Sequence, residues 1–163
     1  MVKQKNLLIL LFSLACSCGQ IHYNYDYYVQ VVSITDGDTF IGLTKDNKEI
    51  RFRIYGIDAP ERKQAFGNRA KQYLSGLIYE KKVGIIVQKE YDKYGRPIVW
   101  VYTLEGKDVS TEMLKSGMAW HFKEYDASEK YEMLESSARI NKIGLWDDKN
   151  PIAPWDYRKN MKK

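Results

Sequence analysis

Asp36-Gly37-Asp38, Asp58-Ala59-Pro60-Glu61 and Asp92-Lys93-Tyr94-Gly95-Arg96 set acids beside turn-forming glycines and a proline, and Arg53 stands just ahead of the second segment. Such a set suits a metal-assisted attack on a phosphodiester. A hard cation takes carboxylate oxygens, the attacking water needs a base, and the phosphorane carries extra negative charge that planar guanidinium groups neutralise bidentately. Oxygen-only donors favour Ca²⁺ or Mg²⁺. His22 and His121 stand alone, without cysteine partners, and offer no zinc spacing.

Each feature also has an ordinary explanation. Asp-Gly pairs are common hairpin residues, Glu61 could be a plain loop glutamate, and Arg53 and Arg96 could be surface charges on a strand and a turn. Only the combination is specific to chemistry. Within it, Pro60 stiffens the corner that carries Glu61, and a bidentate arginine grips two phosphoryl oxygens where a lysine grips one.

The elements that must position these residues follow from periodicity. Tyr28 to Ile34 and Thr39 to Leu43 read as short strands separated by the Asp-Gly turn. Glu49 to Ile54 alternates, with Ile50, Phe52 and Ile54 on one face and Arg51, Arg53 and Tyr55 on the other. Strand-like runs return at Val83 to Val87 and Ile98 to Thr103, joined by a turn with Gly95 and Pro97. Helical spacing covers Phe66 to Ile78, weakened by Gly76, and a short helix spans Val109 to Lys115 before Gly117. A longer helix is expected after Asp126, with Glu129 as capping-box partner and Gly144 as its stop. Five strands with three helices fit a small barrel of the oligonucleotide-binding (OB) type, and an α+β sheet is the alternative.

The chain has 163 residues, and its head reads as an export signal over residues 1–18. Lys3 and Lys5 precede an apolar run from Leu7 to Ala15 that is too short to span a bilayer, and small residues follow. Both cysteines, Cys16 and Cys18, lie there, so the body holds no internal disulfide. Each follows a small residue, Ala15 or Ser17, and either is available as a lipidated first residue; cleavage and release is the other outcome. Without Lys3 and Lys5 the 26 basic residues fall by two against 21 acidic ones, and the net charge drops from +5 to +3. That permits attraction to polyanions without demonstrating it. A linker at 19–27, one domain at 28–158 and a basic tail at 159–163 complete the expected organisation.

The order Asp36-Gly37-Asp38-Thr39, Phe52-Arg53, Asp58-Ala59-Pro60-Glu61 and Asp92-Lys93-Tyr94-Gly95-Arg96 resembles the staphylococcal nuclease (thermonuclease) family. Gly144-Leu145-Trp146 and Pro154-Trp155-Asp156-Tyr157-Arg158 resemble the ending of its bacterial members, so the likeness runs from about Tyr28 to Arg158. The resemblance implies a five-stranded OB-fold barrel with three α-helices. It implies a Ca²⁺-dependent, sugar-nonspecific nuclease that acts on DNA and RNA and leaves 3′-phosphate ends.

Position by position, Asp38 and Asp58 match the family's calcium carboxylates, and Asp36 matches the acid behind them. Ala59 stands where the family has a threonine whose main-chain carbonyl is a ligand, and an alanine offers the same carbonyl. Glu61 matches the proposed general base, and Arg53 and Arg96 match the arginines around the scissile phosphate. Lys93 and Tyr94 match positions near a terminal phosphate, and Tyr125 is a candidate for base stacking. The expectation is a monomer without a stable protein partner, secreted or held at the cell envelope. An inactive nucleic-acid-binding barrel is one alternative, and the intact set of Asp38, Arg53, Asp58, Glu61 and Arg96 speaks against it; an envelope structural or adhesion lipoprotein on the same fold is another, which only an activity assay excludes.

Overall fold

The structure, a computed structural model, describes residues 24–161. The expected export signal, with Cys16 and Cys18, lies outside the described residues, as do most of the expected linker and residues 162–163.

Five strands close into a barrel in the order β1-β2-β3-β6-β5: β1 Tyr27–Ile34, β2 Thr39–Leu43, β3 Glu49–Ile54, β5 Lys82–Lys89 and β6 Ile98–Thr103. Every pairing is antiparallel except β3 with β6, which run parallel from Arg53 opposite Ile98. Closure excludes the open α+β sheet and leaves no long edge. Period-two patterning drives it: β6 turns Val99, Val101 and Thr103 inward, and β3 turns Phe52 and Ile54 inward. Phe40 and Phe52 stack at 5.2 Å in the centre, both wholly buried. An irregularity between Val31 and Ser33 bends β1 so that it pairs with both β2 and β5.

Helix α1, Gly67–Ile78, buries Ala70, Leu74 and Ile78 at four-residue intervals against the barrel core. Helix α2, Val109–Lys115, is capped by Asp108, whose carboxylate accepts from the backbone N–H groups of Ser110 and Thr111. A two-stranded ribbon, β4 Ile57–Asp58 with β7 Trp120–His121, ties the end of the barrel to the C-terminal third. Helix α3, Glu129–Ile140, starts differently from expectation. Asp126 does not cap it with Glu129, because its carboxylate faces His121 Nε2 at 2.9 Å and accepts from Ser128 N–H at 2.9 Å. Ser128 is the N-cap instead, and α3 ends at Ile140 with Asn141 as its C-cap, short of Gly144. Gly144 opens a 3₁₀ turn, Gly144–Asp147.

A fourth helix, α4, Pro154–Asn160, exceeds the three expected. Its seven residues are too few for an apolar period to stand out, although Pro154 at the first turn is a good starter. α4 rests on a small second core of Trp120, Ala138, Leu145, Trp146 and Ala153, flanked by Phe66 and Trp155. Among the described residues no helix is long and apolar enough to cross a membrane.

Candidate active site

The turn after β1 and the short strand β4 meet at one end of the barrel. Gly37 makes this possible by absence, because a Cβ there would lie 2.6 Å from the Ala59 Cβ and 2.7 Å from the Ala70 Cβ. Asp38, almost fully buried, accepts from Ala59 N–H at 2.7 Å and from the Thr39 hydroxyl at 3.0 Å. Asp36 accepts from Asp38 N–H at 3.1 Å and stands behind it. Asp58 is buried at the end of β4.

Arg53, from the last residues of β3, joins the two buried acids. Its NH2 lies 3.2 Å from Asp38 Oδ2 and 3.1 Å from Asp58 Oδ1, and its NH1 donates to the Ile54 carbonyl at 2.9 Å. Burial comes first in pushing Asp36 up to about 7, with the charge of Asp38 adding to it. Burial likewise raises Asp58, with Asp38 repelling it and hydrogen bonds from Arg158 opposing the rise. Carboxylates crowded in this way gain from a cation.

Arg96 reaches the same cleft from the β5–β6 turn. Its Nε donates to Asp92 Oδ2 at 2.9 Å, its NH2 lies 2.8 Å from the same oxygen, and its NH1 donates to Thr39 Oγ1 at 3.2 Å. Thr39 therefore links Arg96 to Asp38. Burial alone would raise Asp92, but hydrogen bonds from the Arg96 backbone and side chain and from Tyr94 N–H hold it below the usual carboxylate range. Arg96 is thus anchored by an ionised partner, with Tyr94 beside its guanidinium at 5.3 Å.

Glu61 sits where the loop after β4 meets α1. Its N–H donates to Gln64 Oε1 at 3.0 Å, and its carbonyl accepts from Gln64 N–H at 2.8 Å. Gln64 also donates to the Ile152 carbonyl at 2.6 Å, which ties the loop to the approach to α4. Gly67 is required here too, because a Cβ would fall 2.0 Å from the Glu61 carbonyl oxygen.

A single cleft of about 760 Å³ brings the expected residues together. Asp36, Asp38, Arg53, Asp58, Ala59 and Glu61 line it together. Lys93, Tyr94, Arg96 and Tyr125 complete the lining, with Tyr94 70% and Tyr125 59% exposed. Tyr125 is held by backbone, since its carbonyl accepts from the Tyr55 hydroxyl at 2.6 Å, and its ring lies 5.0 Å from Phe122.

Three charged residues of the cleft, Lys89, Glu124 and Arg158, are not among the candidates named from sequence, and Arg158 is the one that contacts the acids. Arg158, on α4, donates from NH2 to Asp58 Oδ2 at 2.8 Å and from NH1 to Glu61 Oε1 at 2.8 Å and Asp58 Oδ1 at 3.2 Å. It lies 100 positions from Asp58 and 97 from Glu61, so no local spacing joins them. The stretch Pro154 to Arg158 was visible only as an ending. Thr39, which positions Arg96, is visible in sequence only as the last residue of the Asp36-Gly37-Asp38-Thr39 motif, and Gln64, which positions Glu61, carries no signal of its own.

The donor chemistry fits a hard divalent cation. Asp38 and Asp58 converge on one guanidinium nitrogen, the Ala59 backbone is pinned beside them, and among the described residues neither sulfur nor imidazole lines the cleft. Among the described residues no three acid, histidine or cysteine side chains are grouped tightly enough to hold an ion by themselves. The Ala59 carbonyl and water would have to complete the shell, as hard cations allow.

Comparison with known proteins agrees with this chemistry. Residues 51–148 match the family model described as "Staphylococcal nuclease homologue". The chain is 39% identical over 165 residues to a Haemophilus influenzae protein named an uncharacterized endonuclease, covering 99% of this chain and 89% of that one. It is 37% identical to a Shigella flexneri protein named micrococcal nuclease, over 84% of this chain and 83% of that one. A staphylococcal-like nuclease of Arabidopsis thaliana is 39% identical over 71% of this chain and 35% of its own length. With the closed barrel and the gathered cleft, these matches establish that the chain belongs to the staphylococcal nuclease family.

Proposed function

We propose that the protein is a Ca²⁺-dependent, sugar-nonspecific nuclease that cleaves DNA and RNA phosphodiesters in this cleft and leaves 3′-phosphate ends. The observation that carries the reading is the convergence of Asp38 and Asp58 on one Arg53 nitrogen, with Glu61 reached from Asp58 through Arg158. Acid, base and phosphate-binding groups therefore share one small volume.

Asp38, Asp58 and the Ala59 carbonyl would hold the cation, with Asp36 bracing Asp38 from behind. A bound calcium supplies charge neutralisation at the phosphoryl oxygens and lowers the pKa of a nearby water. Glu61, its backbone fixed by Gln64, accepts the water's proton. Arg53 and Arg96 donate to the phosphoryl oxygens, where negative charge grows as the phosphorane forms. Arg96 suits the transition state, because Asp92 and Thr39 aim it in advance.

Lys93 and Tyr94, which line the cleft, would take a terminal phosphate, and Tyr125 a base. The groups named act on the phosphodiester that DNA and RNA share, which supports action on both nucleic acids and predicts weak sequence preference. The leader supports export or lipid anchoring at Cys16 or Cys18, so we place the enzyme outside the cytoplasm or on the envelope, acting as a monomer.

The test is cleavage of end-labelled DNA and RNA strands in calcium, in EGTA, and in EGTA after calcium is restored, with the product ends analysed. Cleavage of both strands in calcium alone, with 3′-phosphate ends, is expected. Undiminished cleavage in chelator would refute the metal assignment.

A further inference from the structure

Arg158 makes three hydrogen bonds to the two acids that the proposed reaction most needs, and it reaches both oxygens of Asp58. A guanidinium placed this way neutralises Asp58, one of the two carboxylates that would hold a divalent cation, together with the Glu61 carboxylate. We propose that Arg158 is a displaceable counter-ion, so that helix α4 sets the affinity of the cleft for calcium. The inference rests on the calcium reading above.

Three features favour displacement over a permanent bridge. Arg53 already lies 3.1 Å from Asp58 and is 13% exposed, whereas the Arg158 side chain is 42% exposed and free to leave toward solvent. Arg53 is built into the barrel ladder, but Arg158 sits on a helix of seven residues with one buried position, Pro154. The ion pair is also isolated from the rest of α4, whose other basic side chain, Lys159, faces Asp156 at 3.7 Å. A cation at Asp58 would repel the guanidinium while taking its acceptor, and an exposed arginine is cheaply rehydrated. Once released, Arg158 still lines the cleft and can meet a phosphate oxygen of the substrate.

The pair therefore acts as an exchange. Without cation Arg158 neutralises Asp58 and Glu61 and keeps the crowded acids folded together; with cation it becomes a third arginine beside Arg53 and Arg96. Removing it should tighten calcium binding, the reverse of what a purely structural bridge predicts.

Calcium binding to the wild-type protein, Arg158→Gln and Arg158→Lys would be measured by calorimetry without nucleic acid. Arg158→Gln is expected to bind calcium about tenfold more tightly, from the loss of one nearby positive charge. Arg158→Lys should fall between the two, since an ammonium keeps the charge but cannot fork between two carboxylates. Unchanged or weaker affinity in Arg158→Gln overturns the inference. If that variant fails to fold, amide exchange in the wild-type protein decides: calcium should speed exchange across residues 154–160, and slower or unchanged exchange there overturns it. A wild-type protein that binds no calcium would sink the proposed function as well, whereas calcium binding that is indifferent to Arg158 sinks only this inference.

Discussion

The cleft is built by two regions that hold their residues in different ways. The barrel and the short strand β4 at its end supply Asp38, Arg53, Asp58 and Arg96 from strand ends and turns, each anchored by backbone hydrogen bonds or by an ionised partner. The C-terminal layer supplies Arg158 and Tyr125 from a short helix and a loop, above a core of Trp120, Trp146 and a few small residues. Two arginines on that layer make the contrast plain. Arg139 stacks 3.7 Å over the Trp146 ring and 4.5 Å over Trp120 and pairs with Glu135 on its own helix, while Arg158 projects from the layer onto the carboxylates of the cleft. Preorganised groups suit transition-state charge, and a movable one suits exchange.

The largest break is expected on the barrel side. Glu61→Gln should lower turnover by about 10²–10⁴-fold, the range for a general base, with calcium binding retained. Steady-state cleavage and calorimetry on the same preparation check it, and full activity would move the base elsewhere. The C-terminal layer should break in stability instead. Trp146→Ala removes a buried ring in contact with Trp120 at 4.4 Å and should cost about 3–5 kcal/mol in urea unfolding.

A smaller effect tests the join between the regions and the acid turn. Gly37→Ala should cost about 1–3 kcal/mol, because the new Cβ overlaps Ala59 and Ala70, and it should weaken calcium binding by displacing Asp38. A fully stable variant with normal calcium affinity would mean that the turn is not held by this contact. The smallest change is favourable. Gly76, inside α1, has open space around its missing side chain, so Gly76→Ala should raise stability by roughly 0.5–1 kcal/mol in the same unfolding assay and leave cleavage unchanged.

The same contrast explains what could be seen before the fold was known. The barrel was legible because Phe52 and Ile54, or Val99 and Val101, alternate with outward residues, and a period of two is visible in six letters. The carboxylates and arginines of the cleft were legible through ordered motifs near glycines and prolines. Arg158 was not, because it reaches Asp58 only through tertiary packing of the second core, and neither a seven-residue helix nor a separation of 100 positions leaves a periodic trace. The start of α3 was misjudged for a related reason. Asp126 looks like a cap in sequence, but buried His121, distant in pattern though near in chain, claims its carboxylate.

The central claim is that this cleft cleaves phosphodiesters with Arg96 aimed at the transition state. Arg96→Lys keeps the charge but loses the planar fork that Asp92 and Thr39 orient. Single-turnover cleavage of a short labelled single strand in saturating calcium, beside equilibrium binding of the same strand, tests it most directly. The account predicts a loss of at least about 10²-fold in the cleavage rate with affinity little changed; wild-type cleavage, or a loss confined to affinity, would contradict it.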